Sequence, residues 1–295
     1  MESDEMHIGH LLSAIIAGLT IAQATLIREI SPATSLPEEA AAAVERKEIR
    51  SQSAKYFREA SFSAHYDARF ASKPLNETAQ RDAVKVLVQT YLATLADLGV
   101  QTWLMHGSLL GWWWNKQAWN FTHTSFDHGA AKTRQILPWD SDADVQVTED
   151  GITFLAAYYN MTTWYFEYSS IPQGRFFQLE VNPNYHQGQD NSDEGNVVDA
   201  RWIDMDSGLF IDVTAVRYVK DHPEGAGVLA SKDGHEFRDT YLYPLLETTF
   251  VGVKAKIPYK YREMLVAEYG EKALSQKEFK KFIDDKMEWV PNDEL

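Results

Sequence analysis

Residues 136–147, Ile-Leu-Pro-Trp-Asp-Ser-Asp-Ala-Asp-Val-Gln-Val, place Asp140, Asp142 and Asp144 at alternate positions and then run into the alternation of a half-buried strand. Side chains at i and i+2 of a strand point to the same face, so Asp142 and Asp144 can hold one hard divalent cation between them. Mg²⁺ is usually bound by one or two protein carboxylates together with substrate phosphates, the arrangement a phosphoryl-transfer site needs. An isolated acidic run is more often a solvated loop. Here it lies between Leu137-Pro138-Trp139 and Val145-Gln146-Val147, outside any polar tract. Upstream, Thr102 to His106 reads as a strand that breaks at Gly107-Ser108 into a short helix, a turn whose N–H groups can cradle a phosphate. A further aspartate, Asp212, sits within the apolar strand 208–213, where an unpaired carboxylate is costly and needs a partner or a metal.

The charge balance narrows the partners. A formal net charge of −15 over 295 residues excludes a nucleic-acid polyanion, which would need a basic stripe. A single nucleotide-linked donor remains admissible, because a metal neutralises its phosphates locally. Cysteine is absent, so neither a disulfide framework nor a thiolate metal site exists. Nine Trp, 14 Tyr and 14 Phe supply the apolar bulk for a sizeable core.

Leu11 to Ile27 carries no charge, and its length falls between a signal-peptide core and a spanning helix. Glu2, Asp4 and Glu5 stand where a basic flank is usual, and Arg28 follows the run. The organisation expected is a membrane-directing segment at 1–30, either an anchor or a cleaved signal, a stem rich in Ala, Ser, Glu and Pro at 31–54, and one domain at 55–290. Sequons at Asn76, Asn120 and Asn160 suit a lumenal domain, with Asn76 and Asn160 the expected glycan carriers.

Within the domain, Lys55 to Phe70 is aromatic and should pack onto it, with His65, Tyr66 and Asp67 in packing and capping roles. Apolar spacing predicts a helix over Glu77 to Leu98 that stops at Gly99. Trp112, Trp113 and Trp114 read as core and pocket wall. Gly151 to Tyr159 predicts a helix; Thr162 to Tyr168, Arg175 to Val181, Arg201 to Asp204 and Leu209 to Val219 predict strands. Pro258 to Tyr269 and Ser275 to Met287 predict two more helices. Residues 117–135 are polar, lack periodicity and read as a surface loop; His123, Asp127 and His128 find no third ligand there.

Residues 103–114, 136–147, 208–213 and 241–270 resemble the LicD/fukutin family, and most closely its fungal Mnn4-like branch of mannosylphosphorylation. The resemblance extends over roughly residues 55–290, and its relatives pass between the first two motifs without the 117–135 segment. It implies an α+β, nucleotidyltransferase (polymerase-β-like) fold, a mixed sheet flanked by helices. It implies transfer of a phospho-substituted group, such as a sugar phosphate, from a nucleotide-diphosphate donor, CDP- or GDP-linked, to a glycan on a glycoprotein. The expectation is an enzyme of the secretory pathway, in the Golgi lumen, with Asp142, Asp144 and Asp212 holding Mg²⁺ or Mn²⁺. Asp212 is the favoured proton acceptor, and Gly107, Ser108, Lys116, Arg175 and Arg201 are the donor-phosphate candidates. Two other readings stay open: a non-catalytic positive regulator of a partner mannosylphosphate transferase, and a D-x-D glycosyltransferase that moves sugar without phosphate.

Overall fold

A computed structural model of the chain describes residues 55–121, 136, 142–187, 196–275, 280–283 and 288–291, without the side chains of 115–121 and of the last two segments. The expectations for 1–30 and 31–54, for Asp140 and for 122–135 lie outside the described residues.

The chain enters through a short hairpin, β1 (Glu59–Ala60) and β2 (Ser63–Asp67), whose Tyr66 bridges to Leu209. Helix α1 (Glu77–Asp97) follows; the Asn76 side chain caps it by accepting the Ala79 N–H at 2.9 Å. Its apolar stripe of Val84, Leu87, Val88, Tyr91, Leu92 and Leu95 is buried. Gly99, at φ 69°, takes the left-handed conformation that ends the helix.

Strand β3 (Thr102–Leu104) stops two residues short of the sequence expectation, because His106 adopts φ 50° and begins helix α2 (His106–Phe121). This helix is 16 residues long, so positions 117–121, expected in the surface loop, continue it. Trp112 and Trp113 are buried, and their indole N–H groups donate to Thr248 Oγ1 at 2.9 Å and to the Leu274 carbonyl at 3.1 Å. Trp114 donates to the Ala273 carbonyl at 2.6 Å. The amphipathic indoles thus tack the helix to distant parts of the chain while their rings fill the core.

Strand β4 (Asp144–Thr148) leads directly into α3 (Glu149–Tyr158), capped by Thr148 Oγ1 accepting the Gly151 N–H at 3.0 Å. Then come β5 (Thr162–Tyr168), β6 (Ile171–Val181), β7 (Ala200–Asp204), β8 (Phe210–Tyr218), β9 (Val228–Ala230) and β10 (Glu236–Arg238). These six strands run in the order β10-β9-β8-β7-β6-β5, all antiparallel, and β4 joins β8 in parallel with β3 antiparallel beyond it. The result is a mixed α+β architecture with an eight-stranded sheet. Helix α1 lies against β7 and β8, where Trp202 stacks on Phe177 at 5.9 Å and donates its indole N–H to Thr90 Oγ1 at 3.1 Å.

A short helix α4 (Asp239–Leu242), the hairpin of β11 (Leu246–Phe250) and β12 (Val253–Ile257), and helix α5 (Tyr261–Tyr269) close the fold. As expected, α5 ends at Gly270, at φ 78°. The helix expected over 275–287 is not formed. In its place β13 (Lys280–Ile283) pairs with β14 (Glu288–Pro291). Phe282 is the Cα partner of Trp289 across this pair.

Candidate active site

Strand register assembles the site. Asp144 of β4 and Asp212 of β8 are Cα partners in the parallel pair. Asp212 is also the partner of Arg201 on β7, and Arg201 of Glu180 on β6. Directly opposed residues share a face, so Asp144, Asp212, Arg201 and Glu180 form one row across four strands. Asp142 lies two residues before Asp144, in the bend that precedes β4.

Each charge in the row is anchored. Arg201, 3% exposed, donates from Nε to Asp212 Oδ1 at 2.7 Å and from Nη2 to Glu59 Oε1 at 2.8 Å. Its guanidinium lies over the Phe210 ring at 3.6 Å, with Phe57 at 4.7 Å beyond. Its Nη1 is buried and has no hydrogen-bond partner. Glu180 accepts the Tyr56 hydroxyl at 2.8 Å and an Arg69 Nη2–H. That arginine also binds Asp67 at 2.7 Å. The segment 55–70 therefore packs on the domain as expected, and it does so over the charged row.

The same segment carries a residue that sequence reasoning placed elsewhere. His65 has no packing or capping role: its Nδ1 lies 3.0 Å from Asp142 Oδ2. Asp142 holds the imidazole's pKa above its ordinary value against the opposing pull of burial, helped by Asp212 and Asp144. The signal was present in the period of β2. Tyr66 is 2% exposed and core-facing, so His65 beside it must face the other way. Tyr66 and Asp67 keep the roles expected of them, one in the core and the other accepting the Arg69 N–H at 2.8 Å.

Electrostatics single out Asp212. Burial raises its carboxyl pKa above the usual carboxylate range; Arg201 works against that shift, and Asp142 and Glu59 add to it. Three aspartates thus face one guanidinium and one imidazole. The carboxylate oxygens of Asp142, Asp144 and Asp212 do not all lie within 4.8 Å of one another. His65 holds the first and Arg201 the last.

The Gly-Ser motif meets the aspartates through the backbone. Ser108, 4% exposed, accepts the Asp144 N–H at its Oγ at 2.9 Å, and the Met105 N–H donates to the Asp144 carbonyl at 3.2 Å. Gly107 occupies the first turn of α2. Helix N-termini carry free N–H groups and the positive end of the dipole, so this terminus faces the strand that bears the aspartates with its anion-binding end. Arg175 bonds Asp204 Oδ2 at 3.0 Å, and it lies five residues from Glu180 along β6, roughly 17 Å of strand from the row. Lys116 lies in α2. Asn76 and Asn160 are both exposed.

Residues 128–260 match the family described as LicD/FKTN/FKRP, nucleotidyltransferase domain. Among curated proteins, mannosyltransferase regulator 4 of Saccharomyces cerevisiae is 28% identical over 155 residues, covering 52% of this chain and 11% of the relative. Mannosyltransferase regulator 14 of the same yeast is 29% identical over 178 residues, covering 57% of this chain and 17% of the relative. Human ribitol-5-phosphate transferase FKTN is 26% identical over 198 residues, covering 65% and 33%. The chain therefore spans a third or less of the length of these relatives.

Proposed function

Because the chain belongs to the LicD/FKTN/FKRP family through its residues 128–260, we propose that it is a metal-dependent phosphotransferase that moves a phospho-substituted group from a nucleotide-diphosphate donor to a glycan. The observation that carries this reading is the register of β4 against β8, which sets Asp144 beside Asp212, with Asp142 in the bend just before β4. The donor set fits a hard divalent cation: carboxylate oxygens in excess of the local positive charge, with no soft ligand. Asp142, Asp144 and Asp212 would hold Mg²⁺ or Mn²⁺, which when bound neutralises donor phosphate and stabilises charge on the transferring phosphorus.

The protein's own groups do the rest. His65 orients Asp142 through its Nδ1. Ser108 and Met105 fix the backbone of Asp144 from both sides. Arg201 keeps one buried N–H without a partner, a donor available to a phosphate oxygen in the row. Gly107 and the first turn of α2 offer backbone N–H groups to the donor. Asp212, its pKa raised by burial, is suited to accept the proton of the attacking hydroxyl.

The setting proposed is the Golgi lumen, with glycans at Asn76 and Asn160. The Oδ1 atoms of these residues accept the Ala79 and Val181 N–H groups, each at 2.9 Å, which leaves the amide nitrogens for attachment. No helix among the described residues is long and apolar enough to cross a membrane.

The test is product analysis. Purified protein is supplied with CDP- or GDP-linked donors, Mg²⁺ or Mn²⁺ and a glycan acceptor, and the product is weighed for a phosphodiester. A product in the wild type that is lost in Asp142→Asn and Asp144→Asn supports the reading; transfer of sugar without phosphate sinks it. A second reading is favoured by the two yeast relatives, which are mannosyltransferase regulators: a regulator of a separate transferase. That reading expects an inert purified chain that raises a partner transferase's rate whether or not Asp142 and Asp144 are intact.

A further inference from the structure

Among the described residues, one group of imidazoles and carboxylates does bring its ligand atoms within 4.8 Å of one another: His106, Asp233 and His235. These residues come from two separate places in the fold. His106 opens α2, and Asp233 and His235 lie in the turn between β9 and β10. Nε2 of His106 stands 3.3 Å from Asp233 Oδ2, and Nδ1 of His235 stands 3.1 Å from Asp233 Oδ1. Both ring nitrogens are buried, and neither makes a hydrogen bond of acceptable geometry. They are at bonding distance from the carboxylate without being directed at it. Buried polar atoms in native proteins are seldom left so, and two beside one carboxylate call for an explanation.

A metal supplies one. Ligand atoms about 2.0–2.1 Å from a tetrahedral zinc stand about 3.3–3.4 Å apart, and here one ligand atom from each of the three residues lies within 4.8 Å of the others, so a small closure of the side chains brings them into range. The surroundings prepare the ligands. Glu268 of α5 takes the other ring nitrogen of His106, Nδ1 to Oε1 at 2.8 Å, which assigns a proton to Nδ1 and leaves Nε2 as the nitrogen that coordinates once the metal displaces its proton. Ser231 Oγ donates to Asp233 Oδ1 and steadies the carboxylate. The two imidazole rings lie 4.6 Å apart and tilted at 51°, so they are not stacked flat.

We propose that His106 Nε2, His235 Nδ1 and the Asp233 carboxylate hold a zinc ion, with Glu268 as the positioning group behind His106 and water in the fourth place. Three protein ligands and an open position are a familiar zinc arrangement, and imidazole suits zinc where the all-carboxylate row of Asp142, Asp144 and Asp212 suits magnesium or manganese. The ion would pin the β9–β10 turn and α5 to the residue that begins α2. It would thereby fix the left-handed backbone of His106, two residues before the Ser108 hydroxyl that holds Asp144. The site is independent of the phosphotransfer reading and stands whether or not that reading does.

The experiment uses chelator-stripped protein and zinc alone, titrated against a chromophoric competitor. The wild type and Asp142→Asn/Asp144→Asn should each take up one equivalent of zinc. His235→Ala should bind at least about tenfold more weakly, and Glu268→Gln about 10–100-fold more weakly. Cobalt in place of zinc should give the strong visible absorption of a four-coordinate site in the wild type and lose it in His235→Ala. The His235 side chain is 40% exposed, so this variant should fold, and zinc should raise the melting temperature of the wild type but not of the variant. No stoichiometric zinc in the wild type, or equal binding and equal stabilisation in His235→Ala, overturns the proposal. Loss of zinc in Asp142→Asn/Asp144→Asn overturns it too, by placing the ion in the aspartate row.

Discussion

Arg201 Nε donates to Asp212 Oδ1 at 2.7 Å across the β7–β8 pair, so the aspartate that an apolar strand would otherwise bury unpaired finds its partner one strand away. The same guanidinium reaches Glu59 with a second nitrogen, in the bidirectional fork that only arginine offers. Arg201→Gln strands two carboxylates and should lower stability by roughly 3–5 kcal/mol. Arg201→Lys should recover part of that loss and no more. Urea unfolding of the three proteins checks the order, and a loss under about 1 kcal/mol in Arg201→Gln would refute the buried-pair account.

Asp142→Asn and Asp144→Asn should each abolish donor-dependent transfer while leaving the melting curve in place or slightly higher, since clustered carboxylates repel one another without a cation. Asp212→Asn should differ from both by also destabilising the fold, because it removes the negative charge that pairs with the buried Arg201 guanidinium. Activity across a Mn²⁺ titration beside thermal melts separates the two patterns.

His65→Gln should cost activity about 10–100-fold with little change in stability, as expected for a group that orients a metal-binding carboxylate from behind. The imidazole is 43% exposed, so its removal leaves no cavity in the core. Retention of full activity would return His65 to the ordinary surface.

Burial opposes the charge on His106, yet Asp233 and Glu268 push its imidazole up to about 10, with Asp144 adding at longer range. His235 is itself raised by Asp233, against burial and the neighbouring His106. A pKa raised in the folded state contributes stability that is fully present below the ordinary value of 6.5 and declines as pH rises through about 10. In chelator-treated protein, stability should therefore fall from pH 6.5 toward 10 more steeply in the wild type than in His106→Gln. Parallel curves for the two would exclude this linkage.

Gly208→Ala should destabilise by about 1–3 kcal/mol from its left-handed backbone alone. Its φ is 79°, and an added Cβ would meet Ala71 Cβ at 2.6 Å and the Ala71 N at 2.8 Å, so the clash adds to the strain. A melting temperature within error of the wild type would contradict this packing.

The aspartates were legible because their pattern is local. Alternation pointed to Asp142 and Asp144, although Asp142 lies in the bend before β4 and only Asp144 is on the strand, and a carboxylate inside an apolar strand marked Asp212. Their partners were not legible, since Arg201 and His65 reach them through pairings between segments 11 and 77 residues apart. The ends of elements failed where tertiary contacts overrode periodicity. Helix α2 runs on to Phe121 into the polar stretch, and residues 280–283 and 288–291 pair as a hairpin in place of a helix. The cluster of His106, Asp233 and His235 left no trace in the sequence, because its ligands are 127 residues apart and only the β9–β10 turn brings them together.

The hairpin over the charged row sets the boundary of the working unit. Residues 128–260 contain all three aspartates and Arg201, and a fragment cut to those limits would look complete on paper. It would lack Glu59, which takes the second arm of Arg201, His65, which holds Asp142, and Ser108, which holds the backbone of Asp144. Strand β3, which flanks β4, would go as well and leave the aspartate strand as a raw edge. What is inherited as a recognisable stretch and what must be present for the chemistry are therefore different lengths of chain. Expression of the shorter one should yield an aggregating remnant, however faithfully it preserves the acidic residues.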